Sequence, residues 1–342
     1  MISAALALLL PCPLEAGWQL LWQQTLPRQS EAQRLGGFSG MALDWPSRRL
    51  WLLSDAPQTH TLALHWAGSV SQPSFRLAQP QPLQDQGAGK LDGEALVRLP
   101  GQPLRQFWIA SEGRSAQRRP AALLQLELLE SGGFALQRQL PLPPHWQNGV
   151  TQGLRRNKGP EALLPLAGQR MLLAAEAPLQ QDPPTQLRLL LAQLQAGGVS
   201  FKDLATPLQV HAPKGASAHW GLTSLLAASE PEPGEVSTPP VLALWRGYAE
   251  PDDWWNRLSL LPPIPLASGE ARPALAPLRR WDLRRLGLAA DNWEALAAGP
   301  PLPDGRPTLL LASDDNFNPL QQNRLALLAP LQPGRCPSTH GR

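Results

Sequence analysis

The sequence predicts an all-β protein, a β-propeller with five or six four-stranded blades. Three observations support this fold class. The 342 residues include 39 scattered prolines, which disfavour long helices. Hydrophobic residues make up 43% of the chain, as in a folded globular protein. A pattern of two apolar strands joined by a Pro/Gly turn recurs five times, and radially repeated sheets form a propeller.

Each copy of the repeat has the same order of parts. A polar or glycine-rich start precedes a short apolar strand, a turn and a second apolar strand. The copies run from Gly36 to Pro57, Lys90 to Arg114, Asn157 to Pro178, His219 to Tyr248 and Asp291 to Asn316. They recur about every 50–70 residues, a period that fits four-stranded blades with long outer loops. A β-sandwich with regularly spaced strands is the alternative architecture.

Further segments supply the remaining elements of this fold. "TLALHW" and "AALLQLELLE" are predicted outer strands. The early segment "GWQLLWQQTLP" and the late segment "RLALLAP" are predicted to complete one blade together, which would protect the sheet edges. The stretch "LRRWDLRRLGL", from Leu278 to Leu288, is predicted to be helical.

The N-terminal segment resembles a signal peptide. Ile2 to Leu10 form a short apolar run, followed by Pro11 and a small-residue site around Ala16, although no basic residue precedes the run. This predicts export of a single propeller domain over residues 17–332, with residues 1–16 as the signal peptide and 333–342 as a flexible tail. The alternatives are a first buried strand of a cytosolic protein, a start codon placed too far downstream, or a lipoprotein acylated at Cys12.

Charge and cysteine content exclude several classes of function. The net charge of +3 is too small to predict a nucleic-acid partner. Two cysteines, Cys12 and Cys336, exclude a disulfide framework and a structural zinc site. No segment has the length and hydrophobicity of a transmembrane helix. We therefore expect a monomer that acts on a small molecule.

Each repeat carries a polar residue at the start of its first strand and another at the end of its second. In an antiparallel hairpin these two positions lie at the same edge of the sheet. The residues at the start are Ser39, Glu94, Glu161, Thr223 and Glu294. The residues at the end are Asp55, Glu112, Glu176, Arg246 and Asp314.

If the first strand of each repeat is innermost, the carboxylates converge at one end of the central channel. Carboxylates at such density must take up protons, pair with bases or bind cations. Hard oxygen donors without histidine or thiol favour Ca²⁺. The predicted ligands are the strand-start and strand-end acids together with one additional donor: Asp55, Glu94, Glu112, Glu161, Glu176, Glu294, Asp314 and Asp315.

Basic residues beside these acids suit an anionic substrate such as a phosphate ester. We predict catalytic roles for Glu161 and Glu94, which would orient an attacking water, and for Arg114. Two interpretations remain open beside this one. Individual glutamates can simply bond backbone amides and lock neighbouring blades, with Arg246 as a structural partner. The protein can also be a non-catalytic binding propeller, since the sequence has no G-x-S-x-G nucleophile motif.

The repeated segments resemble those of the phytase-like family described as having esterase-like activity. The resemblance rests on "FSGMALDWPSRRLWLLSD", "LDGEAL" with "ASEGR", "NKGPEAL", and "DNWEALAAGPPLPDGRPTLLLASDDNF". It extends from about Gly36 to Pro330, and the last segment is its most specific part. It departs from the family pattern where Glu-Gly becomes Glu-Ala, at Ala95, Ala162 and Ala295. The resemblance implies a propeller-like domain, export, and hydrolysis of phosphoric or other esters.

Overall fold

A computed structural model describes residues 17–29, 34–54, 59–84, 91–113, 119–210, 219–230, 234–249 and 253–331. Over these residues the protein is a five-bladed β-propeller without an α-helix. The predicted signal peptide, Cys12 and the predicted tail lie outside the described residues. No helix in the described part of the chain is long and apolar enough to cross a membrane.

The chain begins with a strand that belongs to the last blade, and then builds the blades in order. This first strand is β1 (Trp18–Thr25). Blade 1 contains β2 (Phe38–Asp44), β3 (Arg49–Ser54), β4 (His60–Gly68) and β5 (Pro73–Leu77), with β6 (Gln81–Pro82) paired to β4. Blade 2 contains β7 (Gly93–Val97), β8 (Gln106–Ser111), β9 (Ala122–Leu128) and β10 (Phe134–Pro141).

The remaining blades follow the same antiparallel plan. Blade 3 contains β11 (Ala162–Leu166), β12 (Arg170–Ala174), β14 (Leu189–Gln195) and β15 (Gly198–Asp203), while β13 (Gln186–Leu187) pairs with β16 (Leu208–Gln209). Blade 4 contains β17 (His219–Ala227), β18 (Val241–Ala249), β19 (Asp253–Leu261) and β20 (Arg279–Asp282). Blade 5 contains β21 (Trp293–Gly299), β22 (Thr308–Ser313) and β23 (Arg324–Pro330), and β1 is its outermost strand.

The first strand of each repeat is the innermost strand of its blade, as the sequence predicted. Strands β2, β7, β11, β17 and β21 contact one another in a closed circle around the central channel. The predicted closure is also confirmed, because β1 pairs antiparallel with β23 from Trp18 opposite Pro330 to Thr25 opposite Arg324.

Both faces of each blade are buried against neighbouring blades, which explains the unbroken apolar runs in the second strands. In β22, Leu310 packs with blade 1, whereas Leu309 and Leu311 pack with blade 4. Successive side chains of a strand point to opposite faces, so a strand between two blades must be apolar at every position. Burying one such leucine stabilises the fold by about 1.5–3 kcal/mol.

The predicted helix over Leu278 to Leu288 is wrong. Arg279–Asp282 form β20, which pairs with Arg257–Leu260 of β19, and Arg284–Leu286 form a single 3₁₀ turn. Leu283 and Leu288 are buried against the core shared by blades 4 and 5. Pairing with an existing sheet edge thus overrides the helical propensity of the arginines and leucines.

Candidate metal and anion site

Four of the five innermost strands carry one residue more than their partner near the start of the pairing. Register shifts interrupt the pairing at Phe38/Gly40, Leu222/Ser224 and Trp293/Ala295, so that Ser39, Thr223 and Glu294 are extra residues. The same excess occurs at Gly93/Leu96, next to Glu94. A bulge re-aims a side chain at the end of a strand. The fold therefore repeats one local irregularity at four of the five predicted strand-start residues, whereas Glu161 directly precedes β11, which pairs with β12 without a shift.

The strand-end residues lie level with one another, as the hairpin argument predicted. The backbone N–H groups of Glu112, Glu176 and Asp314 donate to the carbonyls of Asp92, Gly159 and Asn292, respectively. In each case the acceptor is two residues before the strand-start glutamate. Arg246 has the same register, since it pairs with Gly221, two residues before Thr223. These side chains share one end of the channel, which we call the acidic end.

Arg246 lies at the centre of an arginine network that joins three blades. Its Nη2 is 3.2 Å from Oε1 of Glu176 and 3.9 Å from Oε1 of Glu161. Its Nη1 contacts Oε1 of Glu294 and donates to Oδ1 of Asn292 at 2.8 Å. Burial alone would lower the pKa of Arg246, but the carboxylates of Glu176, Glu294 and Glu161 raise it above its usual value. These contacts agree with the interpretation of Arg246 as a structural partner of the glutamates.

Lys158 adds a second cation to this network. Its Nζ donates to Oε1 of Glu176 at 2.7 Å, and its side chain is 32% exposed. Burial would raise the pKa of Glu176, but the charges of Arg246 and Lys158 outweigh it and lower the pKa below its usual value. Glu176 is therefore a charged partner of two cations. Its Oε2 is buried with no hydrogen-bond partner among the described residues.

Glu94, Glu112 and Glu161 form a carboxylate cluster in which one oxygen from each residue lies within 4.8 Å of the others. Oε1 of Glu112 accepts the backbone N–H of Gly159 at 2.6 Å. Burial, followed by the charges of Asp92 and Glu176, raises the pKa of Glu112 to about 7. Burial and the charge of Glu176 also raise the pKa of Glu161 well above its usual value. The environment of Glu112 and Glu161 therefore favours their protonated forms unless another cation is bound.

Glycines at the start of the next blade make room for the strand-end acids. A Cβ on Gly159 would lie 2.5 Å from Cγ of Glu112, and a Cβ on Gly221 would lie 2.3 Å from Cγ of Glu176. Each acid thus packs directly against the backbone of the following blade. These glycines and Asn292 were not among the site residues predicted from the sequence, although "NKGPEAL", "HWGLT" and "DNWEAL" carry them at matching positions.

Asp314 and Asp315 have different surroundings, although they are adjacent. Oδ1 of Asp314 accepts the backbone N–H of Asn316 at 2.7 Å. Asp315 is fully buried and accepts Nε of Arg28 at 3.1 Å and the backbone N–H of Gly37 at 3.3 Å. Asp315 therefore links blade 5 to the segment that enters blade 1. It does not belong to the carboxylate cluster.

The eight predicted metal ligands therefore do not all have the same surroundings. The structure brings together Glu94, Glu112 and Glu161, while Glu176 and Glu294 contact the cationic side chains of the arginine network. Asp55 and Arg114 lie outside the described residues, so their roles stay predictions.

The carboxylate cluster has the chemistry of a site for a hard divalent cation. It offers up to six carboxylate oxygens and no imidazole or thiolate, which suits Ca²⁺ with its six to eight oxygen ligands. Five carboxylates, those of the cluster with Glu176 and Glu294, lie around two cations, Arg246 and Lys158. This excess of negative charge, together with the raised carboxyl pKa values, is what a bound cation would relieve.

Comparisons with known proteins give two matches of different kinds. A family model described as "Phytase-like: Esterase-like activity of phytase" matches residues 33–317. Among solved structures, an exo-1,5-alpha-L-arabinanase from a bovine ruminal metagenomic library covers 87% of this chain and 94% of its own, with 10% sequence identity and a TM-score of 0.45. The comparison with curated proteins finds no match. The range of the family match includes the innermost strands of all five blades, the carboxylate cluster and the arginine network.

Proposed function

We propose that this chain, which belongs to the phytase-like family, is a Ca²⁺-dependent hydrolase of phosphate esters that acts at the acidic end of its channel. The observation that carries the proposal is the carboxylate cluster, with three carboxyl oxygens within 4.8 Å, beside the partly exposed Lys158. A cation site next to a basic side chain suits a phosphoryl group.

The cluster residues Glu94, Glu112 and Glu161 would hold the ion. When bound, Ca²⁺ would polarise a phosphoryl oxygen and lower the pKa of a coordinated water. The pKa of Glu112 is about 7 in the metal-free protein, so Ca²⁺ would displace its proton on binding near neutral pH. The carboxylates of Glu94 and Glu161 would orient the attacking water.

The cations of the site have separate tasks in this proposal. Lys158 is 32% exposed in its side chain, so its ammonium can turn from Glu176 towards a phosphoryl oxygen. Arg246 is only 16% exposed and contacts three glutamates, so it positions the carboxylates and does not clamp the substrate. Arg114 follows the cluster residue Glu112 by two positions and remains the predicted second phosphate ligand.

Turnover assays on the purified full chain test the proposal. A generic phosphate monoester and a diester are assayed with millimolar Ca²⁺ and with a chelator. We expect turnover only with the metal, and its loss in Glu161→Gln. Glu127→Gln is the matched control, because Glu127 lies on the outer part of blade 2 and pairs with Arg105 at 3.6 Å. Absence of turnover with every divalent metal would refute the proposal.

One observation favours a second candidate, a non-catalytic propeller that binds a cation or an anionic ligand. Glu94 and Glu161 are only 8% and 6% exposed, which restricts the contact of a substrate with these two carboxylates. In this case the protein binds Ca²⁺ with a measurable heat in calorimetry, but hydrolyses no ester. Metal-dependent turnover that is lost in Glu161→Gln excludes this candidate.

We further propose that the protein is exported, from the apolar run Ile2 to Leu10 and the small-residue site around Ala16. The mass of the mature protein from its host tests this. Loss of about 16 residues indicates signal-peptide cleavage, and added lipid mass at Cys12 indicates a lipoprotein. An intact N-terminus would contradict both forms of export.

A further inference from the structure

The channel contains a second site at the end opposite the carboxylates. A cavity of about 750 Å³ is lined by residues from all five innermost strands. It begins directly after the strand-start residues, at Gly40, Ala95, Ser224 and Ala295. It extends along the strands to their far ends, and we call it the apolar chamber. Its volume lies within the range of about 300–1,000 Å³ that small-molecule sites occupy.

Two side-chain hydrogen bonds form a polar layer at the end of the chamber nearest the acidic end. Oγ of Ser39 donates to the carbonyl of Gly93 at 2.7 Å, and Oγ of Ser224 donates to the carbonyl of Glu294 at 2.9 Å. Both bonds join adjacent blades and use hydroxyls that would otherwise face the channel. Below this layer the lining becomes aliphatic.

The lining of the chamber is mainly aliphatic. Most of its side chains are leucine, alanine, valine and proline, such as Leu43 and Val97. The polar side chains of Gln102, Ser229 and Glu230 belong to the segments that follow β7 and β17, at the far ends of these strands. Filling such a space with an apolar ligand is favourable because it removes apolar surface from water.

An exposed leucine and a cationic side chain lie at the rim of the chamber. Leu104 lines the rim with 75% of its surface exposed, so its side chain is available for contact with an apolar ligand. Arg98 follows the last residue of β7. Its guanidinium stacks over the ring of Phe107, with Cζ of Arg98 5.7 Å from the ring centroid. Its ion pair with Asp44 is long, at 3.6 Å, and involves one nitrogen. A guanidinium has five donors, so it retains capacity for a second carboxylate.

We propose that the apolar chamber binds an amphipathic carboxylate of medium chain length, with its chain inside the channel and its head group at Arg98. The concave shape, the aliphatic lining, the exposed Leu104 and the cation at the rim each match one part of such a ligand. The inference does not depend on the proposed hydrolase activity, because no residue of the carboxylate cluster lines the chamber.

Calorimetric titration with decanoate and with decanol, its uncharged analogue, tests the proposal. We expect saturable binding of one molecule per chain, with decanoate bound tighter by on the order of tenfold. Arg98→Gln should remove this preference and leave decanol binding unchanged. Equal affinities for the two probes, or a preference that survives in Arg98→Gln, would overturn the assignment of the head group.

Two substitutions that fill the chamber test its location. Ala298→Trp and Ala228→Trp place a large ring in the chamber from blades 5 and 4, and each should weaken both probes by at least about tenfold. Ala271→Trp is the matched control, because Ala271 is exposed and does not line the chamber. Unfolding midpoints identify any variant that fails to fold. No saturable binding by the unmodified protein, or unchanged binding in both folded filling variants, would overturn the site.

Discussion

Arg246 occupies in blade 4 the position that Glu176 occupies in blade 3, and the two side chains form an ion pair between the blades at 3.2 Å. A repeat that carries acids at this position in blades 2, 3 and 5 carries a base in blade 4. The base neutralises part of the charge that the other blades accumulate. At the acidic end, blade 4 therefore contributes a positive charge at the position where blades 2, 3 and 5 contribute negative charges.

Replacing Arg246 with methionine should strongly destabilise the fold. Removal of one partner of a buried ion pair leaves the other charges uncompensated, which costs about 3–5 kcal/mol. Glu161, Glu176 and Glu294 would all lose this partner. Urea unfolding measures the change. Arg284→Met is the control, because Arg284 pairs with Asp253, whose side chain is 47% exposed. This substitution should lower the free energy of unfolding by less than about 1 kcal/mol. Equal effects of the two substitutions would contradict a central role for Arg246.

The stability of the metal-free protein should fall as the pH rises from about 4.5 towards 7. The pKa of Glu112 is raised to about 7 and that of Glu161 is raised well above its usual value, so the folded state binds more protons than the unfolded state in this window. Glu176, whose pKa is lowered, acts in the opposite sense only below its usual pKa. Unfolding curves at several pH values measure the trend.

Substitution and calcium should each change this pH dependence. Glu112→Gln keeps an acceptor for Gly159 but cannot lose a proton, so its stability should vary less over the same window. Calcium should stabilise the unmodified protein most at the upper end, where the carboxylates are ionised. A pH profile that is identical in Glu112→Gln would show that other groups cause the trend.

Gly159→Ala should both destabilise the fold and weaken calcium binding. The new methyl group would lie 2.5 Å from Cγ of Glu112, so the side chain or the blade must shift. Overpacking of this kind costs about 1–3 kcal/mol. A Cβ on Gly198 meets no atom within 4 Å, so Gly198→Ala should leave stability unchanged or raise it by about 0.4–1 kcal/mol. Thermal unfolding and calcium titration of both variants measure the difference. Equal behaviour would contradict the close packing of Glu112 on blade 3.

Asp315→Asn should lower stability without changing calcium affinity. Asp315 was a predicted metal ligand, but it is fully buried beside Arg28 and Gly37. Loss of its charged hydrogen bonds should cost about 1.5–3 kcal/mol. Glu161→Gln, in the carboxylate cluster, should instead weaken calcium at least about tenfold. Calorimetric titration of both variants separates the two roles. Loss of calcium binding in Asp315→Asn would return Asp315 to the ligand set.

The sequence repeat was sufficient to predict at which end of the channel the polar residues of each hairpin lie. Glu94, Glu161 and Glu294 start innermost strands, and Glu112, Glu176 and Asp314 end the next strands at the same level, because both positions follow from one hairpin. The closure of blade 5 was also predictable, since an unpaired first strand and an unpaired last strand must find partners.

The distribution of these acids around the ring was not predictable from the repeat. Glu176 and Glu294 were expected to bind metal, yet they pair with Arg246, which is 70 residues from Glu176 in the chain. Which carboxylates face a cation depends on contacts between blades, and no spacing within one hairpin contains that information. The hydrogen-bond partners of Asp314 and Asp315 also differ, because the side chains of adjacent residues point in different directions.

The pairing of β1 with β23 has a consequence for how the chain folds during its synthesis. About 300 residues separate these strands, and at about 5–20 residues per second a ribosome needs roughly 15–60 s to make them. Until then β1 has no partner. The side chains of Leu20 and Trp22, which pack against the cores that blade 5 shares with blade 4 and with blade 1, have no core to join. The first strand of the propeller to be made is thus among the last to reach its place, and the nascent chain must keep it from aggregating in the interval.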